Sequence, residues 1–238
     1  MHDGFLFFSI VIPAHNETKY IGTTIASLTQ LDYPRERMEV IVVENGSTDG
    51  TLETVTACAP AWFKVTSTGK ASVSGARNAG IRLLSEASDW VIFLDADTYF
   101  SPPFLRELNA FLLRNRTRNL GTGMVSLLPS PDSRCARGWY HFYNFAQHVT
   151  GTTRSLQIIR RDLLRIIQYD EQLNFGEDTR MIRRCDRLSR HFYLGTSNVF
   201  SSIRRFQKNG WVRQLFSWIY LFILPYERQK HAQYKAIR

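Results

Sequence analysis

Asp95-Ala96-Asp97 directly follows the apolar run Val91-Ile92-Phe93-Leu94. Side chains alternate along an extended chain, so carboxylates two apart point the same way. Oxygens placed so at a strand end suit a hard divalent cation, which keeps its other positions for water and phosphate oxygens. Glu177-Asp178 is a second acid pair, set at a helix start, where one carboxylate can act as general base toward an acceptor hydroxyl. Lys70 and Ser74-Gly75-Ala76-Arg77-Asn78-Ala79-Gly80 form a third group. Its small residues let a helix start approach a ligand, and Arg77 can pair with a phosphate or a base carbonyl. In Ser202-Ile203-Arg204-Arg205-Phe206, two adjacent arginines can reach a diphosphate. Each group has a plainer alternative: solvated aspartates, an acid pair that only favours a helix dipole, a packed helix with one exposed arginine, and a solvated basic turn.

The elements that must position these residues alternate. Phe8 to Ile12, Met38 to Val43, Phe63 to Ser67 and Asp89 to Leu94 read as strands. Helices are expected over residues 18–30, over 74–85 and after Pro102-Pro103. Asn45-Gly46-Ser47 is a turn, and Ser47 is a candidate cap for the helix after it. Strand–helix alternation implies βαβ units and a mostly parallel sheet flanked by helices. Ligands in such sheets bind beyond the carboxyl ends of the strands. His15-Asn16-Glu17, Glu44-Asn45 and Asp95 to Asp97 each follow a strand and should meet on that edge. Residues 129–154 read as an aromatic, histidine-bearing loop. Leu156 to Ile159 reads as a strand, Arg161 to Ile167 as a helix, and Phe175-Gly176 as a turn into a helix ending near Leu188.

The 238 residues suit one domain, or one with an elaborated end. A hydrophobic fraction of 44% and a charged fraction of 21% exclude a disordered or collagen-like chain. The three cysteines, Cys58, Cys135 and Cys185, are an odd number without a CxxC, so a disulfide scaffold or cysteine zinc site is not expected. The net charge of +9 is localised: residues 204–238 hold eight basic residues and one acid, leaving +2 for the rest. That distribution disfavours a nucleic-acid-binding module. The first residues carry no signal-peptide pattern, and no apolar run reaches the ~20 residues of a spanning helix.

As a set, in order and spacing, these segments resemble the family 2 glycosyltransferases with the GT-A nucleotide-sugar fold. The likeness rests on Ser9-Ile10-Val11-Ile12-Pro13-Ala14-His15-Asn16-Glu17, Val42-Val43-Glu44-Asn45-Gly46-Ser47-Thr48-Asp49-Gly50-Thr51, Ala76-Arg77-Asn78-Ala79-Gly80, the Asp95 and Asp97 pair, and Gly176-Glu177-Asp178-Thr179. The resemblance implies a catalytic domain over residues 1–206, with a nucleotide-binding half (1–100) and an acceptor half (101–206). It implies that Pro13, Ala14, His15, Asn16, Glu17 and Glu44 contact the base and ribose, with Arg77 and Lys70 beside the nucleotide. The family often has Asp where this chain has Glu44. Asp95 would meet the ribose or metal-bound water, and Asp97 would bind Mn²⁺ or Mg²⁺ at the diphosphate. Asp178 would be the base, Glu177 would help place the acceptor, and Arg204 and Arg205 would lie near the diphosphate.

The activity so implied is inverting, metal-dependent transfer of a sugar from a nucleotide sugar, UDP-linked by preference, to a hydroxyl of a glycan or lipid-linked acceptor. A nucleotidyltransferase acting on a sugar phosphate is the alternative, but it usually has a Gly-rich basic loop after the first strand, where this chain has Ala14-His15-Asn16-Glu17. His141, His148 and His191 are read as structural. The aromatic stretch 139–145 is read as core and surface, with an acceptor platform as the other possibility. Residues 207–238 form a basic, aromatic tail in which Trp211, Leu215, Trp218, Ile219, Phe222 and Ile223 keep helical spacing. An amphipathic helix of that kind suits peripheral contact with the cytoplasmic face of an anionic membrane.

Overall fold

The computed structural model describes residues 4–69, 71–150, 156–173, 175–211, 213, 214 and 216. Strands and helices alternate from the start: β1 (Phe8–Ala14), α1 (Ile21–Thr29), β2 (Met38–Asn45), α2 (Thr51–Cys58), β3 (Lys64–Thr68), α3 (Val73–Arg82) and β4 (Trp90–Leu94). There follow β5 (Thr98–Phe100), α4 (Phe104–Arg114), β6 (Leu120–Val125), β7 (Leu128–Ser130), α5 (Arg134–Thr150), β8 (Leu156–Arg160) and α6 (Arg161–Leu164). The last are α7 (Glu177–Cys185), β9 (Arg190–Leu194), β10 (Val199–Ser202) and α8 (Arg204–Asn209).

A seven-stranded sheet runs in the order β3-β2-β1-β4-β8-β6-β9. β3, β2, β1 and β4 are parallel; β8 runs against both β4 and β6, and β9 is parallel to β6. The expected mostly parallel sheet is therefore present, and residues on both sides of position 100 contribute to it. A smaller sheet, β5-β10-β7, stands beside it.

Burial on both faces explains why β1, β2 and β4 are near-continuous apolar runs. Ile10, Ile12, Val40, Val42, Ile92 and Leu94 pack on one face with Ile21, Ile25 and Leu28 of α1 and Leu105 and Leu108 of α4. Val11, Ile41, Val43, Val91 and Phe93 pack on the other with Ala76 and Ala79 of α3 and Met181 and Ile182 of α7. α3 lies unusually close to the sheet. A Cβ on Gly80 would sit 2.3 Å from Val11 Cγ1, so glycine is what permits the approach.

Two local expectations are corrected. Residues 129–154 are not a loop, since Arg134–Thr150 is helix α5. Its inner face is Ala136, Tyr140 and Gln147, all buried, and Asn144 clasps both the N–H and the C=O of Leu127, each at 2.9 Å. Tertiary packing of that face overrides the loop-like mixture of aromatics, histidines and Gly138. Second, Ser47 does not cap α2. Gly50 occupies the N-cap with φ +85°, and Asp49 Oδ1 accepts from Thr51 N–H at 3.1 Å. Ser47 Oγ instead accepts from Asn16 N–H at 3.0 Å. No helix among the described residues is long and apolar enough to cross a membrane. Most of the tail, 212, 215 and 217–238, lies outside the described residues.

Candidate active site

Because β1, β2 and β4 are parallel, their carboxyl ends bring the expected segments to one edge. Pro13 and Ala14 are the last residues of β1, and Ala14 is in register with Glu44 of β2. Beyond β1, Asn16 takes the left-handed conformation (φ +55°), which asparagine tolerates better than most residues. Its Oδ1 accepts from Thr48 N–H at 2.8 Å. His15 Nδ1 donates to the Asn45 carbonyl at 2.6 Å, which leaves Nε2 to accept from Asn16 Nδ2 at 3.3 Å. The β1 and β2 loops are thereby stitched into one polar surface.

Glu44 is buried. Its carboxylate accepts from Ser47 N–H at 2.5 Å and from Ser67 Oγ, and Ser67 is its register partner on β3. Burial pushes this carboxyl up, but the hydrogen bonds from Ser67 and Ser47 outweigh burial and hold it below the ordinary range. The longer acid thus spends its reach on internal partners.

Arg77 is 3% exposed and carries three carboxylates: Asp178 in direct hydrogen bond, Glu177 at 3.4 Å and Asp95 at 3.7 Å. Burial disfavours the cation, but the charges of Asp178 and its neighbours more than offset this, so Arg77 stays a cation. This arginine is the hub of the acidic groups, where the sequence offered it a phosphate or a base carbonyl as partner. α7 supplies Glu177 and Asp178 from its first turn, after Gly176 in the left-handed conformation (φ +81°).

Asp178 Oδ1 accepts from Arg77 and, at 2.6 Å, from Gln157 Nε2. Its Oδ2 has no partner among the described residues. Gln157, which donates to this carboxylate, and Tyr169, which donates to Gln157, are neighbours the sequence reading missed. The available signal was a glutamine inside the strand Leu156-Gln157-Ile158-Ile159.

The small sheet delivers the remaining group. Thr98 of β5 pairs with Ser201 of β10, and the ladder continues as Ser202 N–H donates to the Asp97 carbonyl at 3.2 Å. That places Arg204 against the acids. Its Nε lies 3.0 Å from Asp97 Oδ2, and both terminal nitrogens donate to Glu17 at 2.5 Å. Burial pushes the Glu17 carboxyl up to about 7 despite Arg204. Asp95 and Asp97 therefore face different arginines. A third of the Asp95 side-chain surface remains open. Its enclosure still raises the carboxyl well above the usual range; Arg77 pulls it down, and Asp97 and Asp178 push it up. Arg205 is half-buried next to Arg204, and its charge reaches Glu17 and Asp95. Lys70 lies outside the described residues.

Hard oxygen donors are what Mg²⁺ or Mn²⁺ takes, and Asp97 with Asp95 supplies them. Among the described residues no three His, Cys, Asp or Glu side chains converge on one point. With the raised carboxyls of Glu17 and Asp95 set aside, the acids Glu44, Asp97, Glu177 and Asp178 still outnumber Arg77, Arg204 and Arg205 along this edge. The edge is thus net negative, and its residues fit a divalent cation at Asp97.

The family model described as glycosyl transferase family 2 matches residues 9–165. The chain belongs to that family. Among family relatives, the poly(ribitol-phosphate) beta-N-acetylglucosaminyltransferase TarS of Staphylococcus aureus is 31% identical over 106 residues, 44% of this chain and 18% of TarS. The minor teichoic acid biosynthesis protein GgaA of Bacillus subtilis is 32% identical over 117 residues, 48% of this chain and 26% of GgaA. The matched stretches thus span well under half of those relatives. In structure, S. aureus TarS 1-349 in complex with UDP-GlcNAc superposes with a TM-score of 0.67 at 22% identity, covering 83% of this chain and 58% of that one. The mannosyltransferase PcManGT from Pyrobaculum calidifontis, in complex with GDP-Man and Mn²⁺, gives 0.64 at 19% identity, covering 91% and 65%. The GT-A arrangement expected from sequence is the arrangement observed.

Proposed function

We propose that this family 2 chain is an inverting glycosyltransferase that moves a sugar from a nucleoside diphosphate sugar to a hydroxyl of a glycan or lipid-linked acceptor. The observation carrying this reading is Asp178. One of its oxygens is fixed by Arg77 and Gln157, no described residue donates to the other, and Arg77 ties this carboxylate to Asp95 and Glu177. A nucleotide sugar lies with its base and ribose over the His15–Glu17 and Glu44–Ser47 surface. UDP is the favoured nucleotide, in keeping with TarS, which was captured with UDP-GlcNAc.

Transfer needs a better leaving group and a more nucleophilic hydroxyl. Asp97 with Asp95 would hold Mn²⁺ or Mg²⁺, which would supply charge neutralisation for the departing diphosphate. Arg204 and Arg205 add positive charge on the same side. Asp178 Oδ2 takes the acceptor proton as the hydroxyl attacks the anomeric carbon from the face opposite the leaving group, which inverts that centre. Glu177, beside it, helps to seat the acceptor.

The test is nucleoside diphosphate release from a panel of nucleotide sugars with Mn²⁺, with Mg²⁺ and with a chelator. Release with a metal ion, its loss on chelation, and strong loss in Asp97→Ala are expected. Release indifferent to chelator and to Asp97→Ala would remove the metal from the proposal. The proposal also places the tail, 207–238, on the cytoplasmic face of a membrane. Its support is the basic, aromatic tail sequence with Phe216, 66% exposed, and the exposed Phe142 and Phe145 of α5, whose Trp139 packs on Trp211 of the tail.

A further inference from the structure

Gln157 occupies the middle of β8, opposite Phe93 of β4, among leucine and isoleucine neighbours, and is fully buried. A buried amide is tolerated only where both its ends are satisfied. Here they are. Oε1 accepts from Tyr169 OH at 2.7 Å, and Nε2 donates to Asp178 Oδ1 at 2.6 Å. The two ends of an amide differ in kind, so the Tyr169 donor fixes which end faces Asp178. Burial raises the Tyr169 phenol well above its ordinary range, so the hydroxyl keeps its proton and remains a donor.

Tyr169 is itself held rigidly. Its N–H donates to Asn78 Oδ1 and its carbonyl accepts from Asn78 Nδ2, both at 3.0 Å. Its ring meets Phe93 edge-on with centroids 5.2 Å apart, and the Arg77 guanidinium lies 5.1 Å from the ring centre. Asn78 is one residue from Arg77 on α3. The same helix turn therefore anchors both donors that converge on Asp178 Oδ1, and no described residue donates to Oδ2.

We propose that Gln157 is a positioning residue for the base, with Tyr169 setting the orientation of its amide, so that Asp178 presents Oδ2 to the acceptor hydroxyl. This rests on the reading of Asp178 as the base. In the transfer step the acceptor O–H breaks, its oxygen bonds the anomeric carbon, the bond to the diphosphate breaks, and the proton ends on Oδ2. Gln157 neither gives nor takes a proton.

The test compares wild type, Gln157→Met, Gln157→Met/Tyr169→Phe, Tyr169→Phe and Asp178→Asn. Methionine keeps the volume and removes the amide. The double variant also removes the hydroxyl that Gln157→Met would leave buried without a partner, so a folding failure of the single variant does not end the test. UDP release from UDP-N-acetylglucosamine with Mn²⁺ is followed, and crystal structures of the variants are compared. A fall in kcat of about 10- to 100-fold with KM for the donor within about twofold is expected for both methionine variants, and a smaller fall for Tyr169→Phe. A displaced Asp178 carboxylate is expected in their structures. An unshifted carboxylate overturns the inference whether or not this donor is turned over. So does an unchanged kcat in a folded methionine variant while Asp178→Asn is inactive. Full activity of Asp178→Asn instead overturns the reading of the base.

Discussion

Asp178 and Glu44 are both buried carboxylates at the same sheet edge, and their hydrogen bonds separate their roles. Glu44 spends its oxygens on Ser47 and Ser67. Asp178 concentrates its donors on Oδ1. For Glu44 the consequence is a stability that depends on pH. Its folded pKa is depressed, so its contribution is present above the unfolded value near 4.5 and is lost as pH falls through the folded value. Glu44→Gln should therefore lower the Tm at pH 7 and lie closer to wild type at pH 3. An equal difference at both pH values would contradict the assignment. At this scale the acids were legible because DxD and Glu-Asp sit at strand and helix ends. The partners were not. Arg204 meets Glu17 across 187 positions and Arg77 meets Asp178 across 101, and no local pattern encodes such contacts.

Among the elements, α3 is tightly constrained against the sheet. It carries Arg77 and Asn78 and touches β1 through Gly80. Gly→Ala in a helix ordinarily stabilises by about 1 kcal/mol. Here the added Cβ meets Val11, and overpacking of a core costs about 1–3 kcal/mol. Gly80→Ala should be net destabilising in urea unfolding, and pairing it with Val11→Ala should recover more than additivity allows. Additive effects would mean that the contact is relaxed. The strands β1, β2 and β4 were readable because burial on both faces leaves an unbroken apolar run. β5, β7 and β10 were not, being only three or four residues long and built from mixed residues such as Thr98-Tyr99-Phe100 and Val199-Phe200-Ser201-Ser202. Their short ladder is nonetheless what carries Arg204 to Asp97. α5 was missed for a related reason, since its inward face is set by contacts with β7, β10 and α8 that its own composition does not announce.

For the whole molecule, the division of charge sets the expectations. The sheet-edge acids call for a cation, and the basic tail calls for an anionic surface. Vesicles containing anionic lipid should float the full chain, and less so at high salt, whereas a chain ending at Lys208 should stay in solution. Equal flotation of both would place the membrane contact elsewhere. The central claim, that this edge transfers a sugar with Asp178 as base, is tested most directly by one comparison. Wild type and Asp178→Asn are incubated with a panel of nucleotide sugars and Mn²⁺, and nucleoside diphosphate release is measured alongside donor binding. Turnover of at least one donor, slowed about 10²- to 10⁴-fold in Asp178→Asn with binding retained, is the expected result. No donor bound or cleaved by wild type, or equal release by the two proteins, would contradict it.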